Sequence, residues 1–144
     1  DVNQYTGYSV RKYHPRAGYS STVGTEALNY KNNYRVIRFS DVLLMASEAL
    51  LRSGGSVGDA QDYYARVVKR AMGDDYKVPV VSLDNIYKER RYEFAMEGIR
   101  YWDLVRTNQA KDFIKGWDDT KKYLPIPQSE IDKSDGHLVQ NPHF

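Results

Sequence analysis

The stretch ERRYEFAMEGIRYWDLVR, from Glu89 to Arg106, says more about the fold than any other part of the chain. It interleaves acidic and basic residues with large aromatic ones. Residues three or four positions apart share a face of an α-helix, so Glu89 would meet Glu93, and Glu93 would meet Glu97. Arg100 follows Glu97 at the same kind of spacing. The pattern predicts that carboxylates and guanidinium groups line common helical faces.

The residues around this stretch predict where its helices begin and end. Ser82 offers an N-cap, and a helix is predicted from there to Gly98. A kink or reset is predicted at the glycine, followed by a further helix over Ile99–Arg106. We place Trp102 in the core, because the same helix is expected to bury Leu104.

The charges of this stretch allow two interpretations. Two carboxylates about 5–10 Å apart, flanking a glycosidic bond, would indicate glycoside hydrolysis. A buried or half-buried ion network would instead fix a helix elbow at Gly98, with the arginines satisfying neighbouring carboxylates and backbone carbonyls. We favour the network, because arginines lower the pKa that a general acid must keep high. The residues of this structural signature are Glu89, Arg90, Arg91, Glu93, Glu97, Gly98, Arg100, Trp102, Asp103 and Arg106.

Two further helices are predicted upstream. Apolar residues recur at helical spacing from Tyr34 to Leu50, and Gly54 and Gly55 stop the pattern. The apolar arc is broad, which indicates that a partner segment covers a second side of this helix. A second helix fits Asp59–Met72, and the short link makes the two helices antiparallel. Such pairs suggest a tetratricopeptide-like layout, although the sequence shows no convincing self-similar period.

Tyrosine is frequent, with 13 residues in the chain. Residues 1–33 are predicted to form an irregular, tyrosine-rich segment, part of the same domain as the helical residues 34–144. Tyrosine joins a flat apolar face to a hydroxyl group, which suits it both to sugar stacking and to filling half-buried surfaces. The candidate ligand contacts in this segment are Tyr5, Tyr8, Tyr13 and Tyr19.

From Trp117 onward the chain is predicted to be mostly irregular. Two prolines keep residues 123–127 extended, and Ser129 is predicted to cap one short turn at residues 130–132. Trp117 lies between Gly116 and a pair of aspartates. Its indole ring is either exposed for stacking on a sugar ring or anchors its own segment. Trp117 is therefore the fifth candidate ligand contact.

Composition and motifs argue against several functions. The formal net charge is only +2, from 21 basic and 19 acidic residues spread along the chain, so no basic field would hold a nucleic acid. The absence of cysteine removes disulfides and thiolate chemistry. His14, His137 and His143 lack helical partners for a metal site, and no phosphate-binding glycine loop or nucleophile elbow is present. We expect no catalytic residue, no cofactor and no metal.

Four motifs resemble those of the SusD/RagB family in order and spacing. The stretch from Glu89 to Arg106 is similar to the family's charged signature. YRVIRFSDVLLMASEAL (34–50) resembles its arginine-initiated helix, YLPIP (123–127) its proline turn, and LVQNPHF (138–144) its closing motif. The resemblance is weakest before residue 34 and between residues 108 and 122. Family members are several hundred residues long, which implies that this chain is the C-terminal part of a longer protein.

The resemblance implies a mainly α-helical fold, the C-terminal portion of a SusD-like α-α superhelix with tetratricopeptide-like helix pairs and long irregular loops. It implies a non-catalytic nutrient-binding lipoprotein of polysaccharide utilisation. Such a protein faces outward on the cell outer membrane, through a lipid anchor expected outside this chain. It binds oligosaccharide or polysaccharide, starch among them, and delivers it to a TonB-dependent SusC-like transporter. Its expected partners are a glycan, that transporter and the remaining N-terminal part of the same protein.

Two alternative functions remain open. A RagB-like member of the same family would capture peptides. A generic tetratricopeptide-type interaction module would bind a helix or peptide tail in its groove, but it would need a self-similar repeat. In the family, aromatic residues in loops outside the C-terminal helices usually build the glycan site, which implies that much of it lies outside this chain.

Overall fold

A computed structural model describes residues 11–13, 18, 31 and 33–144. The regular structure of this part is helical throughout, which confirms the mainly α fold class. The helices are α1 (Phe39–Ser53), α2 (Val57–Met72), α3 (Leu83–Glu93), α4 (Arg100–Arg106), α5 (Ala110–Phe113) and α6 (Gln128–Lys133), with a short 3-10 helix at Asp119–Lys122. The chain divides into two compact units, Asp1–Met96 and Glu97–Phe144. Most of residues 1–33 lies outside the described residues, so its irregular structure stays a prediction.

The first two helices form a pair joined by a three-residue link. α1 begins at Phe39, later than the pattern predicted, because the backbone at Arg38 is extended. It ends at Gly54, which takes a left-handed φ of 72° that residues with a Cβ atom avoid. α2 begins earlier than predicted, because Ser56 caps it by accepting a hydrogen bond from the Asp59 backbone N–H at 3.1 Å.

The core of the first unit lies where α1 packs against α2 and α3. The Ser47 hydroxyl on α1 donates a 2.7 Å hydrogen bond to the carbonyl of Ala60 on α2. Both residues are fully buried, and their small side chains let the two helices approach closely. The buried apolar residues of this unit are Leu43, Leu44, Ala60, Tyr64, Val67, Val68, Val81, Ile86 and Phe94.

One side chain holds the segment between α2 and α3 against α2. Gln61 Nε2 donates to the Pro79 carbonyl at 3.2 Å, and Gln61 Oε1 accepts from the Val81 backbone N–H at 2.7 Å. Ser82 then caps α3 by accepting from the Asn85 backbone N–H at 3.1 Å, as predicted. The segment therefore enters α3 in a fixed position.

The prediction that the third helix reaches Gly98 is wrong, because α3 ends at Glu93. Phe94 leaves the helical conformation, and Met96 takes a left-handed φ of 66°, so the chain turns before it reaches the glycine. The predicted further helix is confirmed as α4. Glu97 lies outside both helices, so it does not meet Glu93 as a neighbour on one helical face.

Side-chain bonds to the backbone organise the second unit. Gln140 accepts a hydrogen bond from the Ile126 N–H at 2.8 Å and donates to the Ile126 carbonyl at 2.9 Å. Asn141 Nδ2 donates to the Leu124 carbonyl at 2.6 Å. These bonds join the YLPIP turn to the closing LVQNPHF segment. The two motifs are therefore one structural feature, since the amides of the second satisfy the backbone of the first.

The prediction that Ser129 caps the last turn is wrong. Pro127 occupies the N-cap position of α6, and no side chain caps this helix. Ser129 lies inside the first turn instead. The helix is longer than the predicted turn, and two pairs lie within it: Gln128 with Asp132 at 2.8 Å, and Lys133 with Glu130 at 3.1 Å.

Apolar side chains remain exposed on α1 and just before it, and the predicted partner segment that would cover them stays a prediction. They are Val36, Ile37, Phe39, Val42 and Met45. Among the helices in the described ranges, none has the length and apolar character that crossing a lipid bilayer requires.

Leu44→Ala is expected to lower the free energy of unfolding by about 3 kcal/mol, because Leu44 is fully buried and its removal leaves a cavity. Met45→Ala is the control, since the neighbouring Met45 side chain is 44% exposed and should cost well under about 1 kcal/mol. Urea denaturation followed by circular dichroism measures both. Equal losses would contradict this assignment of the core.

Candidate functional site

The charged signature centres on a buried carboxylate. Glu93 accepts from Arg38 Nη1 at 2.8 Å and from Arg70 Nη2 at 2.5 Å, one bond on each carboxylate oxygen. Its backbone carbonyl accepts from Arg38 Nη2 at 3.0 Å and from Lys12 Nζ at 2.5 Å. A buried charge is stable only when it is paired and hydrogen-bonded in this way. The bonds to the carbonyl satisfy an acceptor that has no backbone partner at the end of α3.

Two opposing effects set the pKa of the Glu93 carboxyl. Burial raises this pKa, but the hydrogen bonds from Arg38 and Ser40 and the positive charge of Arg70 together lower it more. The pKa therefore lies below its ordinary value, and the group stays ionised at neutral pH. A general acid needs the opposite shift.

Two arginines contact the ring of the residue that follows Glu93. Arg90 is buried and pairs with Asp41 on α1 at 2.6 Å. Its guanidinium lies 5.1 Å from the centre of the Phe94 ring, and that of Arg38 lies at 4.9 Å. These are cation–π distances. Arg91 is exposed.

The predicted ion network exists, but its partners differ from the predicted ones. Arg38 and Arg70, which hold Glu93, come from outside the signature stretch. The network therefore ties α3 to α2 and to the residue before α1, and it does not fix an elbow at Gly98. Sequence spacing missed these pairs because it compares only residues on one helix.

A second buried carboxylate, Glu48, was not predicted. It accepts from Arg52 Nε at 2.8 Å and from the Tyr87 hydroxyl at 3.2 Å, while Arg52 Nη2 donates to Tyr87 at 2.5 Å. Burial and the charge of Glu48 raise the pKa of the Tyr87 hydroxyl. The spacing of Glu48 and Arg52, one helical turn apart, was the available signal. This cluster joins α1 to α3.

In the second unit, the end of the signature forms a local cluster on α4. Arg106 Nε donates to the buried Asp103 carboxylate at 2.8 Å. The Thr107 hydroxyl donates to the Asp103 carbonyl at 2.6 Å, which satisfies the end of the helix. The Arg100 guanidinium lies 5.0 Å from the Phe113 ring centre. These side chains stabilise the unit, as the network interpretation predicted.

The prediction that Trp102 belongs to the core is wrong, because its side chain is 52% exposed. Positions two apart lie about 200° apart around a helix, so Trp102 faces outward when Leu104 is buried. The Tyr101 ring lies edge-on to Trp102 at 5.1 Å and to Trp117 at 6.1 Å. We call Tyr101, Trp102 and Trp117 the tryptophan surface.

Trp117 is half-buried and held by its own loop. Its Nε1 donates to Asp119 Oδ1 at 3.4 Å. Asp118 accepts from the Thr120 backbone N–H at 3.0 Å, and hydrogen bonding from Thr120 is the largest cause of the lowered pKa of the Asp118 carboxyl. Trp117 thus anchors its segment while part of its ring stays accessible. Its role as a ligand contact stays a prediction.

The tyrosine candidates are only partly described. Tyr5, Tyr8 and Tyr19 lie outside the described residues. Tyr13 is half-buried and stacks on the exposed Tyr34, with ring centres 5.6 Å apart and planes inclined by 17°. Its role as a ligand contact stays a prediction. Within the described ranges, no group of three or more histidine, aspartate or glutamate side chains is placed to hold a metal ion.

The structure is that of a helical protein in which the charged signature stabilises the fold. Its accessible aromatic rings include those of the tryptophan surface. A sequence profile of the SusD family matches residues 2–144, and the chain belongs to this family. The resemblance of the four motifs is thereby confirmed.

Several relatives share only part of their length with this chain. SusD-like protein P2 of Formosa agariphila is 26% identical over an alignment that covers 94% of this chain and 30% of that protein. A SusD-like protein of Bacteroides ovatus is 35% identical over 54% of this chain and 14% of its own length. The solved structure of surface glycan-binding protein A from Bacteroides thetaiotaomicron superposes with a TM-score of 0.70 and 44% identity, over 83% of this chain and 26% of that one. The chain spans less than a third of each relative.

Glu93→Gln is expected to lower the free energy of unfolding at pH 7 by about 2 kcal/mol, because it removes the charge that Arg38 and Arg70 hydrogen-bond. The folded-state pKa of Glu93 is lowered, so the stabilising effect of its charge is present above the unfolded-state pKa. It is lost as the pH falls through the folded-state pKa. Urea midpoints of the wild type and the variant should therefore converge as the pH is lowered.

Glu89→Gln is the matched control on the same helix. Burial and the charge of Glu93 raise the pKa of the Glu89 carboxyl, so the folded state disfavours its ionised form at neutral pH. The variant should be slightly more stable than the wild type at pH 7, and this difference should vanish below the unfolded-state pKa. A loss of stability in both variants at pH 7 would contradict the different environments assigned to the two carboxylates.

Proposed function

We propose that the protein binds glycan at the cell surface without cleaving it. Membership of the SusD family supports this proposal, as does the likeness to a surface glycan-binding protein. Within this chain, the main support for glycan binding is the tryptophan surface.

The chemistry of the tryptophan surface suits a sugar. A pyranose ring has apolar C–H faces and hydroxyl groups at its edge, so it binds where flat aromatic rings lie beside polar groups. Trp102 is exposed, and Tyr101 links it to Trp117. Asp118 and Asp119 follow Trp117 directly and are themselves exposed. The rings of Trp102 and Trp117 therefore offer stacking faces, and the two aspartates after Trp117 offer hydrogen-bond acceptors.

The described carboxylates support binding without turnover. A glycosidase needs a general acid with a raised pKa and a second carboxylate about 5–10 Å away. Glu93 has a lowered pKa, and Glu48 and Asp103 are each paired with an arginine. Glu89 has a raised pKa, but its helical neighbour Glu93 is held by Arg38 and Arg70. These carboxylates therefore suit structural pairing better than acid and base catalysis.

We extend the proposal to the cellular role that the family resemblance implies. The whole protein would be anchored by lipid on the outer face of the outer membrane and would hand its glycan to a SusC-like TonB-dependent transporter. Affinity purification of the full-length protein from its native membrane tests this step. Co-purification of a barrel transporter is expected, and isolation of the protein alone in mild detergent would count against the complex.

Isothermal titration of the 144-residue chain with maltoheptaose, xylohexaose, cellohexaose and mannohexaose is expected to show binding of one glycan class with no product released. Trp102→Ala and Trp117→Ala should each weaken that binding about tenfold, because each removes a stacking ring. Tyr123→Ala is the matched control, since Tyr123 is an exposed aromatic residue outside the tryptophan surface. It should leave the affinity unchanged.

Three other outcomes would change the proposal. Equal losses in Trp102→Ala and Tyr123→Ala would exclude the tryptophan surface as the site. Release of shorter sugars would show an enzyme. Binding of peptides, with no response to any glycan, would move the protein to the peptide-capturing branch of the family.

A further inference from the structure

The first unit contains a groove of about 180 Å³ lined by residues of α2, α3 and the segment between them. Its base is formed by Tyr64 and Val68, which are buried. Tyr76 and Tyr92 line its edges and are 40% and 60% exposed. The groove therefore combines an apolar base with accessible aromatic rings.

The groove also contains polar groups. The Tyr64 hydroxyl and the Glu89 carboxylate both belong to side chains that line it. Burial, with the charge of Glu89 and the proximity of Tyr76, raises the pKa of Tyr64 to about 12. All three side chains line the groove. They leave a donor, an acceptor and a further hydroxyl available to a ligand.

The position of the groove wall is fixed before any ligand arrives. Gln61 holds the backbone on both sides of Val80, through the Pro79 carbonyl and the Val81 N–H. Asn85 Nδ2 adds a 2.8 Å bond to the Val80 carbonyl. Pro79 and Asn85 both line the groove. A site formed in advance avoids the entropic cost of ordering a loop on binding.

Size and charge restrict what the groove can hold. Its volume is below the about 300–1,000 Å³ typical of sites for drug-sized ligands, so it suits about one ring of a ligand. Lys88 and Glu89 bring one charge of each sign to its lining, so an isolated charge on the ligand would meet a like charge as well as an opposite one. A neutral ring with hydroxyl groups at its edge and apolar C–H faces matches both constraints.

We propose that this groove is a second sugar subsite, which binds one neutral pyranose unit through Tyr64, Tyr76, Glu89 and Tyr92. The proposal rests on the proposed glycan-binding function and adds a location and a ligand class to it. Tyr76 and Tyr92 provide the stacking faces. The Glu89 carboxylate accepts from sugar hydroxyls, and the Tyr64 hydroxyl hydrogen-bonds to them. Lys88 donates at the edge.

Nuclear magnetic resonance titration of the ¹⁵N-labelled chain tests this subsite. The probes are the methyl glycosides of glucose, galactose, mannose and xylose, with methyl glucuronide as the charged comparison. At least one neutral glycoside is expected to shift the backbone amides of Tyr76, Lys88 and Glu89. Both tryptophans of the chain lie at positions 102 and 117, so tryptophan fluorescence separately reports binding at the tryptophan surface.

Substitutions then link the shifts to the groove. Tyr92→Ala should weaken glycoside binding about tenfold, and Glu89→Gln and Tyr64→Phe several-fold, because each removes a single contact. Tyr123→Ala and Asp62→Asn are the matched aromatic and charge controls, since both residues are exposed and neither lines the groove. The amide spectrum of each variant verifies that it is folded.

Different outcomes would overturn the sugar subsite in the groove and the proposed glycan-binding function. Oligosaccharide binding with shifts only around residues 101–121, unchanged by the groove variants, would overturn the subsite and leave surface glycan binding intact. A response of the groove to methyl glucuronide or to Nα-acetyl-lysine amide, but to no neutral glycoside, would overturn the ligand class. A chain that binds no glycoside and no oligosaccharide would overturn both proposals.

Discussion

Glu93 is the buried charge on which the first unit depends. An ionised carboxylate in a protein interior is stable only when its oxygens are paired, and Arg38 and Arg70 supply the pairs from two different elements. Because Arg38 precedes α1 and Arg70 lies in the last turn of α2, one side chain ties α3 to both. The Glu93 carbonyl is occupied by Arg38 and Lys12, which coincides with the end of α3. The same residue therefore ties α3 to two other parts of the unit at the point where that helix ends.

The charged residues that stabilise the fold and the aromatic residues that remain accessible are different sets of side chains. The buried carboxylates pair with arginines, whereas the exposed rings of the tryptophan surface lie outside these ion pairs. Trp102 is such an exposed ring, since it faces solvent on the same helix whose Leu104 is buried. In the first unit, Glu89 differs from Glu93 although one helical turn separates them. Arg38 and Arg70 hydrogen-bond to Glu93 and lower its pKa, whereas burial is the largest effect on the Glu89 carboxyl and raises its pKa.

Local sequence signals predicted most helices and the pairing of the first two, but they did not predict the partners of the buried charges. Three features depend only on residues close in sequence and could therefore be predicted without a structure. They are the glycine at the end of α1, the Ser82 N-cap and α4. The failures have specific causes. α3 stops before Gly98, at a residue whose carboxylate and carbonyl bind groups distant in sequence. Trp102 faces solvent because it lies about 200° around the helix from the buried Leu104, a phase that the sequence itself contains.

The sequence by itself determined the helical class, the family and the absence of cysteine chemistry, since these follow from composition, spacing and motif order. It also indicated that the charged stretch is structural, because arginines beside carboxylates hold them ionised. Only the tertiary structure decided which arginines those are, that the amides of Gln140 and Asn141 hold the YLPIP turn, and that α2 and α3 enclose a groove. The physical reason is distance along the chain. Contacts between residues tens of positions apart depend on how helices pack, and neither periodicity nor spacing within one helix encodes that packing.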